Sequence, residues 1–139
     1  MTDYTGTVQS FFAAYDAHDV DRMIALFADG AKGRYVPYGR EAVLPVRGGI
    51  EMVWRGFAEA VPDFTAQIVE IIPTTGNIAV VQAVLGGTMP TDVPGIVAKG
   101  EFAQFAHAFI FRFNGDNRIN YLDCYWDNSA TSFLKPSAL

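Results

Sequence analysis

Apolar residues recur at three-to-four spacing at Val8, Phe11, Phe12 and Tyr15, and again at Val20, Met23, Ile24 and Phe27. The stretch TVQSFFAAYDAHDVDRMIALFAD therefore predicts two helices, each burying one face. AHD, residues 17–19, is the break between them. Asp19 supplies the short acceptor that satisfies free N–H groups at a helix start. The second helix is expected to end near FADGAKG, where glycines let the chain turn. GRYVPYGREAVLPVRGG mixes glycine, proline and apolar residues, which reads as a strand-and-loop segment at a pocket rim. Helical spacing returns through Ile50, Val53, Trp54, Phe57 and Val61, and Pro62 stops this third helix.

From Phe64 the pattern turns to strands. FTAQIVEIIPTTGNIAVVQAVLGGTM predicts a pair about TTGN, and EFAQFAHAFIFRFNGDNRINYLDCYWD predicts a long hairpin about NGDN. The loop PTDVPGIVAKG joins the two pairs. Helices first and mostly antiparallel strands afterwards indicate an α+β fold, with helices on one face of a curved sheet. The 139 residues suit one domain, 1–139, long enough for a sizeable core.

Composition narrows the function classes. Half the residues are hydrophobic and 14% aromatic, while 10 Lys and Arg face 15 Asp and Glu, for a formal charge of −5. That balance leaves no footprint for phosphate, so nucleic acid is not an expected partner. MTDYTGTVQSFF lacks the basic start and apolar run of a signal peptide, and no apolar stretch approaches the roughly 20 residues of a membrane span. A cytoplasmic protein without membrane contact is expected. One cysteine and two histidines, without clustered spacing, make a poor metal set, so no metal is expected. LGGT lacks the lysine of a phosphate loop, and no serine sits in a nucleophile elbow. Any chemistry is therefore expected to need no cofactor.

AHDVDRMIALFADGA, AVPDF, LGGT and IFRFNGDNRINYLDCYWD, in this order, resemble the nuclear transport factor 2-like superfamily, specifically its SnoaL-like, polyketide cyclase-like branch. The resemblance covers nearly the whole chain. It implies a cone-shaped α+β barrel in which three N-terminal helices close a strongly bent sheet around a deep hydrophobic pocket. It also implies a homodimer formed through the outer sheet face. Relatives include cyclases, isomerases, epoxide hydrolases and members without known catalysis, so the fold alone does not fix the reaction. Matched without gaps at FRFNG and the helix pair, the ketosteroid isomerase groups fall on Phe109, near Tyr35 and on Phe11. None keeps the required side-chain type, so steroid isomerisation by that apparatus is not implied.

The same match places Phe105, His107 and Phe109 on the pocket face, with Gln104, Ala106, Ala108 and Ile110 outside. That outer row is small and mostly apolar, as a sheet packed on a partner subunit requires. His107 is the leading acid–base candidate, because a pKa of about 6.5 moves readily around neutrality. The competing reading is a histidine hydrogen-bonded for structure. Asp123 is the aspartate that the cyclase resemblance favours as acid or base; an apolar cavity would raise its pKa.

Strand alternation sets that choice against another. Either Asp123, Tyr125 and Asp127 share the pocket face, or Leu122, Cys124 and Trp126 do. The register carried from FRFNG puts the second set inside, and a β-bulge after NGDN would reverse it. Cys124 has no neighbouring cation in sequence to stabilise a thiolate, so it reads as a small buried apolar residue. Asp127 suits a strand-end hydrogen bond or the pocket rim. Tyr15 is the favoured hydroxyl donor, while Tyr35, Tyr38 and Trp54 offer polar tips within an apolar wall. Three function classes follow: a small-molecule enzyme using His107, Tyr15 and, given the bulge, Asp123 on an apolar carbonyl or cyclic substrate; a binding protein holding such a ligand unchanged; or a partner-binding module acting through the sheet face.

Overall fold

The computed structural model describes residues 4–90 and 100–126; Asp127 and nearly all of the loop PTDVPGIVAKG lie outside the described residues. Helix α1 (Thr5–Asp16) buries Val8, Phe11, Phe12 and Tyr15 as the spacing requires. The chain then breaks at His18, whose φ of 60° is left-handed. Asp19 caps α2 (Val20–Ala25), its side chain accepting from the Arg22 N–H at 3.2 Å. Helix α3 (Glu51–Ala60) follows a kinked turn over Val46–Ile50 and ends before Pro62. Trp54 is its fully buried residue.

The segment FADGAKG does not turn the chain as its glycines suggest. It belongs to strand β1 (Phe27–Tyr35), which lies inside the sheet between β2 (Leu44–Pro45) and β6 (Ile119–Trp126). Alanine, glycine, aspartate and lysine are poor strand formers, so pairing on both sides rather than propensity makes this strand. Gly33 shows the constraint most directly. It pairs with Leu122 in parallel register, and a Cβ added there would lie 2.6 Å from the Leu122 carbonyl oxygen and 2.9 Å from Ile50 Cδ1. Glycine is the residue that permits this approach.

Strands β3 (Thr65–Pro73), β4 (Ile78–Thr88) and β5 (Phe102–Phe113) complete a six-stranded sheet of order β2-β1-β6-β5-β4-β3. All pairs are antiparallel except β1 with β6, so the sheet is mixed. It curls around the helices without closing, since β2 and β3 remain edges. Bulges assist the curl by adding twist and bend. One lies in β3, between Ile68 and Glu70, where Val69 is 63% exposed.

A second bulge decides the faces of β6. Phe113 pairs with Ile119 but Arg112 pairs with Tyr121, so Asn120 is the extra residue. Ile119, Leu122 and Cys124 are consequently all buried on the concave side. The bulge after NGDN thus exists, yet it acts opposite to the sequence-based expectation. Strict alternation from Ile119 would turn Asp123 inward; the added residue turns it outward.

Phe11 occupies the centre of the concave side. Its ring meets those of Phe12, Tyr15, Phe27, Trp54, Phe109 and Phe111 at centroid distances of 5.1 to 6.2 Å, all near edge-on. This is the favoured geometry for aromatic quadrupoles, and it ties α1 and α3 to β1 and β5. Two glycines test the packing. Gly33→Ala should destabilise the fold by about 1–3 kcal/mol, because the new methyl meets a backbone carbonyl. Gly56→Ala, in the interior of α3 with open space around its Cβ, should instead stabilise it by about 0.5–1 kcal/mol. Urea unfolding of both variants reads the difference.

Candidate active site

Helices α1 and α3, the turn after β1 and four strands of the sheet together line one cavity of about 40 Å³. Tyr15 comes from α1, Tyr35 from the end of β1, and Tyr38 from the single turn Val36–Tyr38 that follows it. Phe57 comes from α3, while the β-sheet contributes Leu85, Gly86, Phe105, His107, Cys124 and Trp126. Phe64 and Met89 complete the wall. The free space suits a few water molecules or a slender group, and its lining is mostly apolar.

His107 lies on the inward face of β5, between Ala83 of β4 and Trp126 of β6. Its ring stacks on Phe109 and Trp126 at 5.6 and 5.1 Å. Nδ1 stands 2.8 Å from the Phe105 carbonyl oxygen. A carbonyl can only accept, so Nδ1 carries the proton and Nε2 keeps its lone pair. Burial pushes the pKa down to about 4, against a smaller upward pull from the Phe105 carbonyl. At neutral pH the ring is therefore an uncharged base of fixed tautomer.

The hydroxyls are set differently. Burial raises the pKa of both Tyr15 and Tyr35, so they stay protonated and act as donors rather than bases. The Trp54 indole N–H donates to the Tyr35 oxygen, and a hydrogen bond between Tyr35 and Tyr15 continues the chain. Trp54 is thus a support behind the cavity, not part of its wall. Phe109 and Leu122 likewise pack in the core beneath it.

Cys124 lies inside, in the wall, and burial raises its pKa well above the ordinary thiol value. It is an uncharged filler, without the thiolate that nucleophilic attack needs. Asp123 points to the other face. It is 6% exposed and accepts from Arg34 Nε at 2.6 Å, while Arg34 also donates to the Arg40 carbonyl at 3.0 Å. The outward turn made by the Asn120 bulge removes Asp123 from the pocket and from the acid–base part that the cyclase resemblance implied. Among the described residues no carboxylate lines the cavity, and no three His, Cys, Asp or Glu side chains gather as a metal site would require.

Sequence reasoning named Tyr15, Tyr35, Tyr38, Phe105, His107, Cys124 and Trp126, and the structure brings all seven to one wall. It did not name Phe57, Phe64, Leu85, Gly86 or Met89 as site residues. Phe57 stood in the helical pattern and Phe64 in AVPDF, but periodicity reports burial without saying which buried residues border a space.

A curled, unclosed α+β sheet with three helices over an aromatic cavity defines a protein of the nuclear transport factor 2-like superfamily. The SnoaL-like domain pattern matches residues 8–122, and the chain belongs to that family. Among solved structures, IdmH, a putative polyketide cyclase from Streptomyces antibioticus, is similar with 23% identity and a TM-score of 0.73, over 91% of this chain and 94% of that one. AclR, a putative hydroxylase from Streptomyces galilaeus, has 12% identity and a TM-score of 0.75, over 91% of this chain and 79% of its own. The epoxide hydrolase/cyclase-like enzyme SalBIII of salinomycin pyran ring formation has 15% identity and a TM-score of 0.75, over 92% and 93%. No curated protein is detectably similar in sequence. Among the described residues no helix is long and apolar enough to cross a membrane.

Two measurements check this arrangement. The folded His107 binds a proton less readily than an unfolded histidine of pKa 6.5, so the stability it lends is complete above that pH. It is lost as the pH falls toward about 4, by up to about 3 kcal/mol. His107→Asn, which keeps a donor for the Phe105 carbonyl, should flatten that part of the stability–pH curve. Asp123→Asn should lower the melting temperature by breaking the Arg34 pair, yet leave ligand affinity of the folded protein unchanged. A selective loss of affinity would return Asp123 to the pocket.

Proposed function

We propose that the cavity performs cofactor-free acid–base chemistry on an apolar carbonyl compound. The Tyr15 hydroxyl, backed by Tyr35 and Trp54, donates to the carbonyl oxygen, and His107 Nε2 removes and returns a proton at the adjacent carbon. The observation that carries this reading is the neutral, single-tautomer imidazole in the same apolar wall as two protonated phenols. A base with a pKa near 4 has the strength of a carboxylate, and carboxylates abstract protons beside carbonyls when the developing oxyanion is stabilised. The wall of Phe57, Phe64, Phe105 and Trp126 excludes water and favours hydrocarbon around the reacting carbon. The names of IdmH and SalBIII, a putative cyclase and a cyclase-like enzyme, agree with enolate formation that leads to ring closure or isomerisation.

A second reading is a binding protein that holds the same ligand unchanged. It is favoured by the lack of a lining carboxylate among the described residues and by the small free volume. Product analysis after incubation with ring-forming ketones separates the two: altered ligand supports the enzyme, and quantitative recovery supports the binder.

For the enzyme, His107→Ala should lower kcat by about 10²–10⁴-fold with the fold intact, and Tyr15→Phe by about 10²–10³-fold. The kcat/KM profile should fall on the acid side near pH 4, where His107 takes up its proton, and stay level through 6.5. An acid limb centred on 6.5, or unchanged turnover in His107→Ala, would remove His107 from the chemistry.

A further inference from the structure

A second apolar cavity, also of about 40 Å³, adjoins the first. Ala42, Leu44, Ile50 and Val53 line it, and Tyr35 and Tyr38 line both spaces. The two tyrosine rings are therefore the common wall. Helix α3 shows that the spaces are neighbours: Val53 borders the second and Phe57 the first, and residues four apart lie on one helix face about 6 Å from each other.

The wall is held unequally. Tyr35 is buried and anchored by the indole of Trp54. Tyr38 is 55% exposed, in a single turn followed by Gly39 at φ 133°. Its ring stacks on Tyr35 at 6.3 Å and meets Trp126 edge-on at 5.3 Å, and among the described residues no hydrogen bond holds its hydroxyl. Exposed side chains change rotamer within nanoseconds. The outer half of the wall can therefore move while the inner half stays in place.

We propose that the second cavity is the far lobe of the binding site and that Tyr38 is its movable partition. An unbranched alkyl arm of a carbonyl ligand passes Tyr35 and ends among Ala42, Leu44, Ile50 and Val53. This rests on the carbonyl reading of the first cavity and names the ligand class: a ketone with its oxygen near one end and a straight hydrocarbon chain. The volume favours a chain over a ring, and apart from the two tyrosines every lining side chain is a hydrocarbon.

The test uses methyl n-alkyl ketones from 2-butanone to 2-undecanone, titrated calorimetrically into the full chain. Wild type should gain about fourfold in affinity per methylene along the series. Val53→Phe and Leu44→Phe fill the far lobe from α3 and from β2, so either one suffices if the other fails to fold. Both should leave 2-butanone binding unchanged and weaken 2-undecanone at least tenfold. Tyr38→Ala, lacking the partition, should increase the preference for 2-undecanone over 2-butanone. Equal gains with chain length in wild type and a folded, filled variant would overturn the far lobe alone. Failure of every ketone, including the shortest, to bind wild type would overturn the carbonyl site and the far lobe with it.

Discussion

One extra residue in β6 governs the chemistry of the interior. Because side chains alternate along a strand, a shift of one position exchanges the two faces. The bulge at Asn120 makes that shift between Ile119 and Leu122, so both remain buried on the concave side. Everything beyond it inherits the new phase. Cys124 and Trp126 enter the cavity wall, while Asp123 turns to Arg34. One local irregularity thus sets the identity of the groups that the sheet encloses, while bulges in more than one strand add twist to it.

The enclosed groups share a physical property: burial favours the uncharged form of each. Tyr15, Tyr35 and Cys124 are raised, and His107 is lowered. A mostly apolar, aromatic wall penalises ions of either sign. Tyrosines become fixed donors, histidine a fixed acceptor, and the cysteine a filler. Asp123, the one buried carboxylate among the described residues, lies on the other face with a guanidinium beside it.

Much of this was legible in the residues. The spacing of Val8, Phe11, Phe12 and Tyr15 identified α1 and its inward face, and Asp19 identified a cap. Phe105, His107 and Phe109 were assigned to the concave face and lie there. Only the end of strand β1, residues 33–35, fell within a stretch read as strand and loop; its start was missed because FADGAK carries no strand signal of its own, and its conformation is imposed by β2 and β6. Trp54, Phe109 and Leu122 were read as ligand contacts and lie in the core, outside the cavity lining. Hydrophobic pattern records that a residue avoids water, and the boundary of a cavity depends on how neighbours fill the space.

The sequence by itself determined the α+β order of elements, the inward faces of the regular helices and strands, and the stock of neutral polar groups among aromatics. These are local properties, set by periodicity, capping and turn chemistry. The tertiary structure alone decided the phase of β6 after Asn120, the parallel approach of β1 at Gly33, and the meeting of Tyr15, Tyr35 and Trp54 from three elements. Each of those depends on distances between segments far apart in the chain, and residue-by-residue preference carries no term for such distances.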